Sequence, residues 1–125
     1  MLYAILCYDS EEVTSSWSKE HDDAVIGRLI AVQEGWAKEG RLGPVARLMP
    51  TTTASTLRKG KEAVVLDGPF AETKEQLLGF FMIDCESLEE AIEYAKQLTT
   101  ESGAMEVRPV MVSNTGVLNT GSAVR

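Results

Sequence analysis

The sequence predicts an α+β domain, a ferredoxin-like sandwich with an inserted β-hairpin. Three observations lead to this fold class. Its periodic segments follow the order strand, helix, strand, hairpin, strand, helix, strand, which is the ferredoxin-like order with one insertion. The segments 2–8 and 77–84 are apolar on both alternating sets of positions, as in central strands buried on both faces. A length of 125 residues suits a single domain.

The composition narrows the class of partner. With 44% hydrophobic and 25% charged residues, the chain has the composition of an ordinary globular protein. Its net charge is -7 and its densest basic cluster is the short Arg58-Lys59-Gly60-Lys61, so we expect neither nucleic acid nor an anionic membrane as a partner. An apolar run of about 18 residues is missing, and the first residues lack the basic region of a signal peptide, which favours the cytoplasm.

The two central strands also predict a homodimer. Segments 2–8 and 77–84 carry large apolar side chains on both faces, whereas two helices cover only one face of a ferredoxin-like sheet. A second face left in water would expose a larger apolar patch than monomers usually tolerate. A second copy, packed sheet against sheet across a two-fold axis, is the simplest cover for that face.

The helical spacing of apolar residues predicts two helices. The first spans about 19–39, after a polar loop at 9–18 that offers Ser and Thr for the N-cap, and Gly40 ends it at the C′ position. The second begins at Ser87, which forms an S-x-x-E pattern with Glu90. In that pattern each of the two side chains accepts the backbone amide of the other residue.

Shorter segments complete the sheet and form the insertion. Segment 42–48 contains Gly43-Pro44, which predicts an edge strand or a bulge. Segments 55–58 and 62–66 flank Lys59-Gly60-Lys61, where the glycine offers a positive φ. We therefore expect a hairpin at this place, appended to the core.

The last predicted strand, 105–112, sets the boundary of the domain. After it the chain is rich in Ser, Thr, Asn and Gly and has little apolar surface to bury. We therefore expect one domain at 1–112 and a tail at 113–125. Internal repeats are not apparent, so the whole domain is expected to fold around one core.

The sequence favours reduced cysteines and predicts neither a bound metal nor a nucleotide cofactor. Cys7 and Cys85 lie in apolar runs that are typical of strands, which favours buried reduced thiols over a disulfide or a catalytic thiol. His21 is the only histidine, and the acidic residues show no recognised ligand spacing, so we expect no metal. A P-loop and a glycine-rich dinucleotide turn are both missing, so we expect no nucleotide cofactor.

The run Asp67-Gly68-Pro69-Phe70-Ala71-Glu72-Thr73-Lys74-Glu75-Gln76 combines turn formers with ionisable side chains. Asp67 either caps its own turn by accepting backbone amides or acts as a functional carboxylate. Gly68 is expected to be extended because it precedes Pro69. Thr73 and Gln76 are expected to cap a single helical turn. The charges of that turn are then either functional or simply solvated, and they belong to Glu72, Lys74 and Glu75.

His21 is the side chain with an unperturbed pKa near neutrality, so it is a candidate for proton transfer at pH 7. The alternative is a charged helix entrance, because Asp22 and Asp23 follow it and acids are favoured near a helix N-terminus. Four polar residues on strands are candidates for a pocket or for ion pairs: Tyr8, Asp9, Arg47 and Arg108. Trp17 and Trp36 are expected to pack rather than to stack on a ligand.

These residues carry a resemblance to a known family. The chain resembles the YCII-related proteins of the DGPFAETKE type over nearly the whole domain, in the segments 1–6, 39–42, 67–76, 78–81 and 106–110. The resemblance implies a ferredoxin-like domain that assembles as a dimeric α/β barrel. It also implies a pocket between the helices, the sheet and the motif loop. In the motif, the matching residues are Asp67, Gly68, Pro69, Phe70, Glu72 and Lys74.

The resemblance also implies an acid/base dyad of His and Asp, proposed for a shorter branch of the family. The family's histidine would fall near Leu29 in this chain, so His21 does not occupy its position. The first hypothesis is a small cofactor-free enzyme that uses Asp67, helped by Glu72 or His21, for an elimination or hydrolysis of a small organic molecule. The second is a non-catalytic ligand-binding or accessory protein linked to stress-responsive transcription. The ligand-binding residues would be Gly68, Pro69, Phe70, Lys74, Tyr8 and Arg47.

Overall fold

The computed structural model describes residues 1–116, and it confirms the ferredoxin-like α+β prediction. One antiparallel sheet has the strand order β2-β5-β1-β6, and β3 and β4 form a separate two-stranded sheet. Most of the predicted tail, residues 117–125, lies outside the described residues. The elements are β1 (Leu2–Asp9), α1 (Glu11–Thr14), α2 (Lys19–Lys38), β2 (Leu42–Arg47), a 3-10 helix (Thr51–Thr53), β3 (Ser55–Lys59), β4 (Ala63–Asp67), β5 (Gln76–Asp84), α3 (Leu88–Lys96) and β6 (Ala104–Pro109).

The direction of the strands gives the sheet two different ends. Strands β1 and β2 finish, and β5 and β6 begin, at the end that we call the upper end. Because each helix runs opposite to the strand before it in this fold, α2 begins and α3 finishes near the upper end. The connections at the upper end include the hairpin, and those at the lower end are short.

The hydrophobic core lies between the helices and one face of the sheet. Helix α2 packs over β2, and α3 packs over β1 and β6. Trp36 is 2% exposed and meets Phe81 and Tyr94 edge to face, with ring centroids 6.0 and 5.4 Å away. The buried residues of this core are Tyr3, Ile5, Trp36, Phe81, Ile83, Cys85, Ala91, Ala95 and Leu98.

The other face of the sheet, which we call the open face, has no helix over it. Its apolar side chains remain only half-buried, which confirms that the central strands are apolar on both faces. The register sets Leu6 opposite Phe80, and Arg108 of β6 bonds to its neighbour Glu106. The apolar residues of the open face are Leu2, Ala4, Leu6, Ala46, Phe80 and Met82.

The helix ends largely follow the sequence signals. Ser18 caps α2 by accepting the backbone amide of His21, and Gly40 ends the helix with a φ of 72°. Ser87 likewise accepts the amide of Glu90 at 3.1 Å. The expected reciprocal bond is wrong, because the Glu90 carboxylate pairs with Arg41 and accepts the amide of Glu86 instead.

Two other local predictions are wrong, and one is confirmed. The loop predicted at 9–18 contains the short helix α1. The final strand ends at Pro109 rather than at Val112, because its partner β1 begins at Leu2 and the amide of Val110 already donates to the Leu2 carbonyl. In β2 the register shifts between Leu42 and Val45 and the strand lies at an edge, as the Gly-Pro interruption predicts.

The segment Glu39-Gly40-Arg41-Leu42 has a structural role at the lower end. Arg41 donates to the carbonyl of Asp84 at 3.2 Å, and its guanidinium lies 5.8 Å from the centroid of the Tyr94 ring. The Tyr94 hydroxyl donates to Glu39, and this bond raises the pKa of Tyr94. The segment therefore fastens the end of α2 to α3 and β5, far from the motif loop.

Both cysteines are free, as expected for reduced thiols. Burial raises the pKa of the Cys7 thiol from its ordinary value of 9.0 to about 11. Since the folded pKa lies above the unfolded one, the stability that Cys7 contributes is fully present below pH 9.0 and is lost as the pH rises towards about 11.

We therefore expect Cys7 to alkylate slowly. In Cys85→Ala, where Cys7 is the only thiol, its reaction with iodoacetamide should be at least about tenfold slower at pH 8 than that of a cysteine in an unfolded peptide. The rate should increase up to a pH near 11. An inflection near pH 9 in the folded protein would contradict this expectation.

Candidate functional site

The topology brings most of the sequence-predicted site residues to the upper end. Tyr8 and Arg47 lie at the upper ends of β1 and β2, and His21 lies in the first turns of α2. Residues 68–75, which we call the motif loop, connect the hairpin to the start of β5. The sequence could not show this convergence directly, because it arises from the antiparallel order of the strands.

The first turn of the motif loop is held by hydrogen bonds from the backbone of Gly68 to Ala54 and to the side chain of Thr56. The amide of Gly68 donates to the carbonyl of Ala54 at 2.7 Å, and the carbonyl of Gly68 accepts from the Thr56 hydroxyl at 2.8 Å. The φ of Gly68 is 97°, a conformation that other residues rarely adopt. The expected ordinary extended geometry is therefore wrong, and the loop and the hairpin form one unit.

The Asp67 carboxylate does not cap its turn. Asp67 is exposed at the end of β4, opposite Ser55, and the described bonds of the turn run through Gly68 and Thr56 instead. The turn-capping alternative is therefore wrong for the described part of the chain. The carboxylate oxygens remain open to a ligand.

The rest of the motif loop is irregular, with bends at 70–71 and 74–75, and it faces solvent. The expected single helical turn is wrong, because the Gln76 side chain donates back to the carbonyl of Thr73 at 2.6 Å while Gln76 itself begins β5. Gln76 also accepts the amide of Glu11, which ties the loop to α1. Phe70 is 75% exposed, and Glu72 and Lys74 are exposed as well.

His21 lies in a different place from the motif loop. It is half-buried against Trp17, with ring centroids 4.7 Å apart, and both line a cavity of about 310 Å³ between α2 and the loop before β6. A second cavity, of about 300 Å³, lies between α3 and β6. Residues of the motif loop line neither of these two cavities.

The other polar residues at the upper end are mostly engaged in the protomer. Arg47 approaches Asp22 to 3.5 Å, so it forms an ion pair with the entrance of α2. Asp9 is buried and accepts the amide of Ser10 at 2.7 Å and the Ser102 hydroxyl at 3.0 Å. Gly103, with a φ of 91°, lets that loop approach, since a Cβ there would lie 2.4 Å from the carbonyl of Tyr8.

Asp9 therefore fastens the loop before β6 to the end of β1. Sequence reasoning identified Asp9 as a pocket candidate but did not identify Ser102 as its partner. The only available signal was the Ser-Gly pair before the last strand, which is typical of many turns.

The described residues lack both a cluster of metal ligands and a membrane-spanning helix. Within residues 1–116, no group of three or more His, Cys, Asp and Glu side chains has the arrangement of a metal site. None of the helices formed by those residues is both long enough and apolar enough to cross a membrane.

The fold and the candidate site describe one class of protein. It is a small α+β domain with a ferredoxin-like sheet, an appended hairpin, and an Asp-Gly-Pro turn that is held by hydrogen bonds at the upper end of the sheet. The model of the YCII-related domain matches residues 1–114. An uncharacterised protein of Rhizobium meliloti (strain 1021) is 56% identical over 122 residues, which cover 94% of this chain and 98% of that protein. The chain therefore belongs to the YCII-related family, as the resemblance indicated.

Proposed function

We propose that the protein is a small cofactor-free enzyme that performs acid/base chemistry, an elimination or a hydrolysis, on a small organic molecule. The observation that carries this proposal is the Asp67 carboxylate, which stands on a pinned turn and is not committed to that turn by hydrogen bonds. A carboxylate that acts as a general acid or base must be free to exchange a proton with a substrate within its reach. The protein acts in the cytoplasm, where Cys7 and Cys85 stay reduced.

The surroundings of Asp67 supply binding groups of different chemistry. Phe70 offers an apolar surface, and Pro69 restricts the backbone that presents it. Glu72 and Lys74 offer charges of both signs. Tyr8 and Arg47 lie at the same end of the sheet and would contact a ligand that extends from Asp67 across that end. This set suits a small polar molecule with an apolar part.

The working unit in this proposal is a homodimer in which the open faces pack together. Six apolar side chains of the open face, on β1, β2 and β5, are only half-buried in a single protomer. A standard interface needs about 800 Å² from each partner. The Glu106–Arg108 pair is neutral, so the open face can meet its copy despite the net charge of -7.

A second candidate function is non-catalytic, a ligand-binding or accessory protein linked to stress-responsive transcription. The exposure of Asp67 and Glu72 favours it. An exposed carboxylate can bind a cationic or hydrogen-bonding group without any proton transfer. The two candidates share the ligand site and differ only in whether the ligand is converted.

A thermal-shift screen against a library of metabolites tests the shared site. A compound at ten times its Kd should stabilise the protein by about 1.4 kcal/mol, or raise Tm by about 5 °C. Asp67→Asn should abolish this shift, because the carboxylate contributes to binding. Glu89→Gln is the control, since it removes an exposed carboxylate from the start of α3, at the lower end of the sheet. A shift of equal size in Asp67→Asn would contradict the assignment.

The compound found in that screen then separates the two functions. Incubated with catalytic amounts of the protein and followed by NMR, it should be converted to a product by the unmodified protein and not by Asp67→Asn. Binding that depends on Asp67 but gives no product would favour the non-catalytic function.

A further inference from the structure

We infer that the hairpin arm, residues 55–67, packs on a second copy of this chain, so that the ligand site at the motif loop forms between two subunits. This inference rests on the dimer in the proposed function and adds to it. It states which surface besides the open face makes the contact, and why residues 67–75 line neither of the two cavities described above.

The hairpin arm is uncovered on both faces. Leu57 and Val65 pair on one face and are 58% and 68% exposed. Val64 and Leu66, on the other face, are exposed as well. The close contacts of β3 and β4 are chiefly with each other. An isolated two-stranded hairpin is marginally stable in water, so apolar residues on both faces indicate a cover from outside the protomer.

The motif loop, like the hairpin arm, is not covered by the rest of the protomer. Its backbone is pinned at Gly68, yet Phe70 projects into solvent and neither of the two cavities is lined by residues 67–75. Ligand sites are usually concave and bury most of the ligand. A pocket at Asp67 therefore needs a second wall, and a partner bound to the adjoining hairpin arm is in the right place to supply it.

Charge indicates that the partner is another copy. In residues 55–67 there are three cations, Arg58, Lys59 and Lys61, against two anions, Glu62 and Asp67, which gives +1. The whole chain carries -7, so the remainder carries -7 minus +1, or -8. A basic, apolar arm on an acidic body is complementary to the body of an identical molecule, and this attraction favours self-association.

Sedimentation equilibrium on four proteins tests the inference: the unmodified chain, Val65→Asp, Leu57→Asp and Ile30→Asp. Both arm variants place a charge in the proposed contact, and we expect each to raise the dimer dissociation constant at least about 30-fold. Ile30 is 48% exposed on α2, so Ile30→Asp makes the same type of change elsewhere and should leave the constant within about threefold. Far-UV circular dichroism checks that each variant remains folded.

Hydrogen exchange of the motif loop provides a second readout. Amides of residues 68–75 should exchange at least about tenfold more slowly in the unmodified dimer than in monomeric Val65→Asp or Leu57→Asp. Amides of α2 should exchange alike in both states, which controls for a general loss of stability. Equal exchange of the motif loop in dimer and monomer would overturn a site between subunits.

The possible outcomes distinguish the role of the hairpin arm from the existence of the dimer. An unmodified dimer whose dissociation constant is unchanged by Val65→Asp and Leu57→Asp overturns the role of the arm and leaves a dimer formed through the open face. An unmodified chain that is monomeric at micromolar concentration overturns both. Weakened association in the two arm variants alone, with a protected motif loop, supports the inference.

Discussion

Phe80→Asp is expected to split the proposed homodimer into folded monomers. Phe80 lies in the middle of the open face, opposite Leu6 on one side and Ala46 on the other. A carboxylate there would lose its water on association and find no partner, which costs several kcal/mol. We expect the dissociation constant to rise at least about 100-fold, or about 2.7 kcal/mol, in a sedimentation experiment.

The monomer should survive this change because Phe80 belongs to the open face and not to the core. Far-UV circular dichroism should therefore match that of the unmodified protein. Ile30→Asp, on the exposed side of α2, is again the control and should remain dimeric. A Phe80→Asp protein that dimerises as tightly as the unmodified one would show that the open face is not the interface.

Trp36→Ala is expected to have the largest effect on folding. The indole is nearly fully buried between Phe81 and Tyr94, so its removal leaves a large cavity in the only core of the described domain. The free energy of unfolding should fall by about 3–5 kcal/mol. Urea denaturation followed by circular dichroism measures this change.

Two further variants show whether the effect comes from packing. The buried indole N–H has no hydrogen-bond partner among the described residues, so Trp36→Phe removes an unsatisfied donor while it keeps an aromatic ring. Its effect should be less than half that of Trp36→Ala. Trp17 is only half-buried, and Trp17→Ala should cost about 1 kcal/mol. Similar losses for Trp17→Ala and Trp36→Ala would contradict this description of the core.

The fold was predictable from the sequence because its signals are local. Apolar residues on both alternating sets of 2–8 and 77–84 place these segments at the centre of the sheet. The caps at Ser18 and Ser87, and the positive φ at Gly40, depend on a few neighbouring residues. These features require no knowledge of distant contacts.

The candidate site was less predictable because distant residues shape it. Gly68 takes its conformation from bonds to Ala54 and Thr56, which lie more than ten residues earlier. The start of β5 at Gln76 depends on a bond to Glu11, 65 residues away. The sequence could name Asp67 as a candidate, but it could not show that the turn would leave the carboxylate uncommitted and exposed.

The mass of the particle in solution tests the central claim most directly, which is that a second copy covers the open face and the hairpin arm. Light scattering on the unmodified chain at micromolar concentration should give a mass twice that of the 13.6 kDa chain. A mass of 13.6 kDa, unchanged as the concentration rises, would contradict the account.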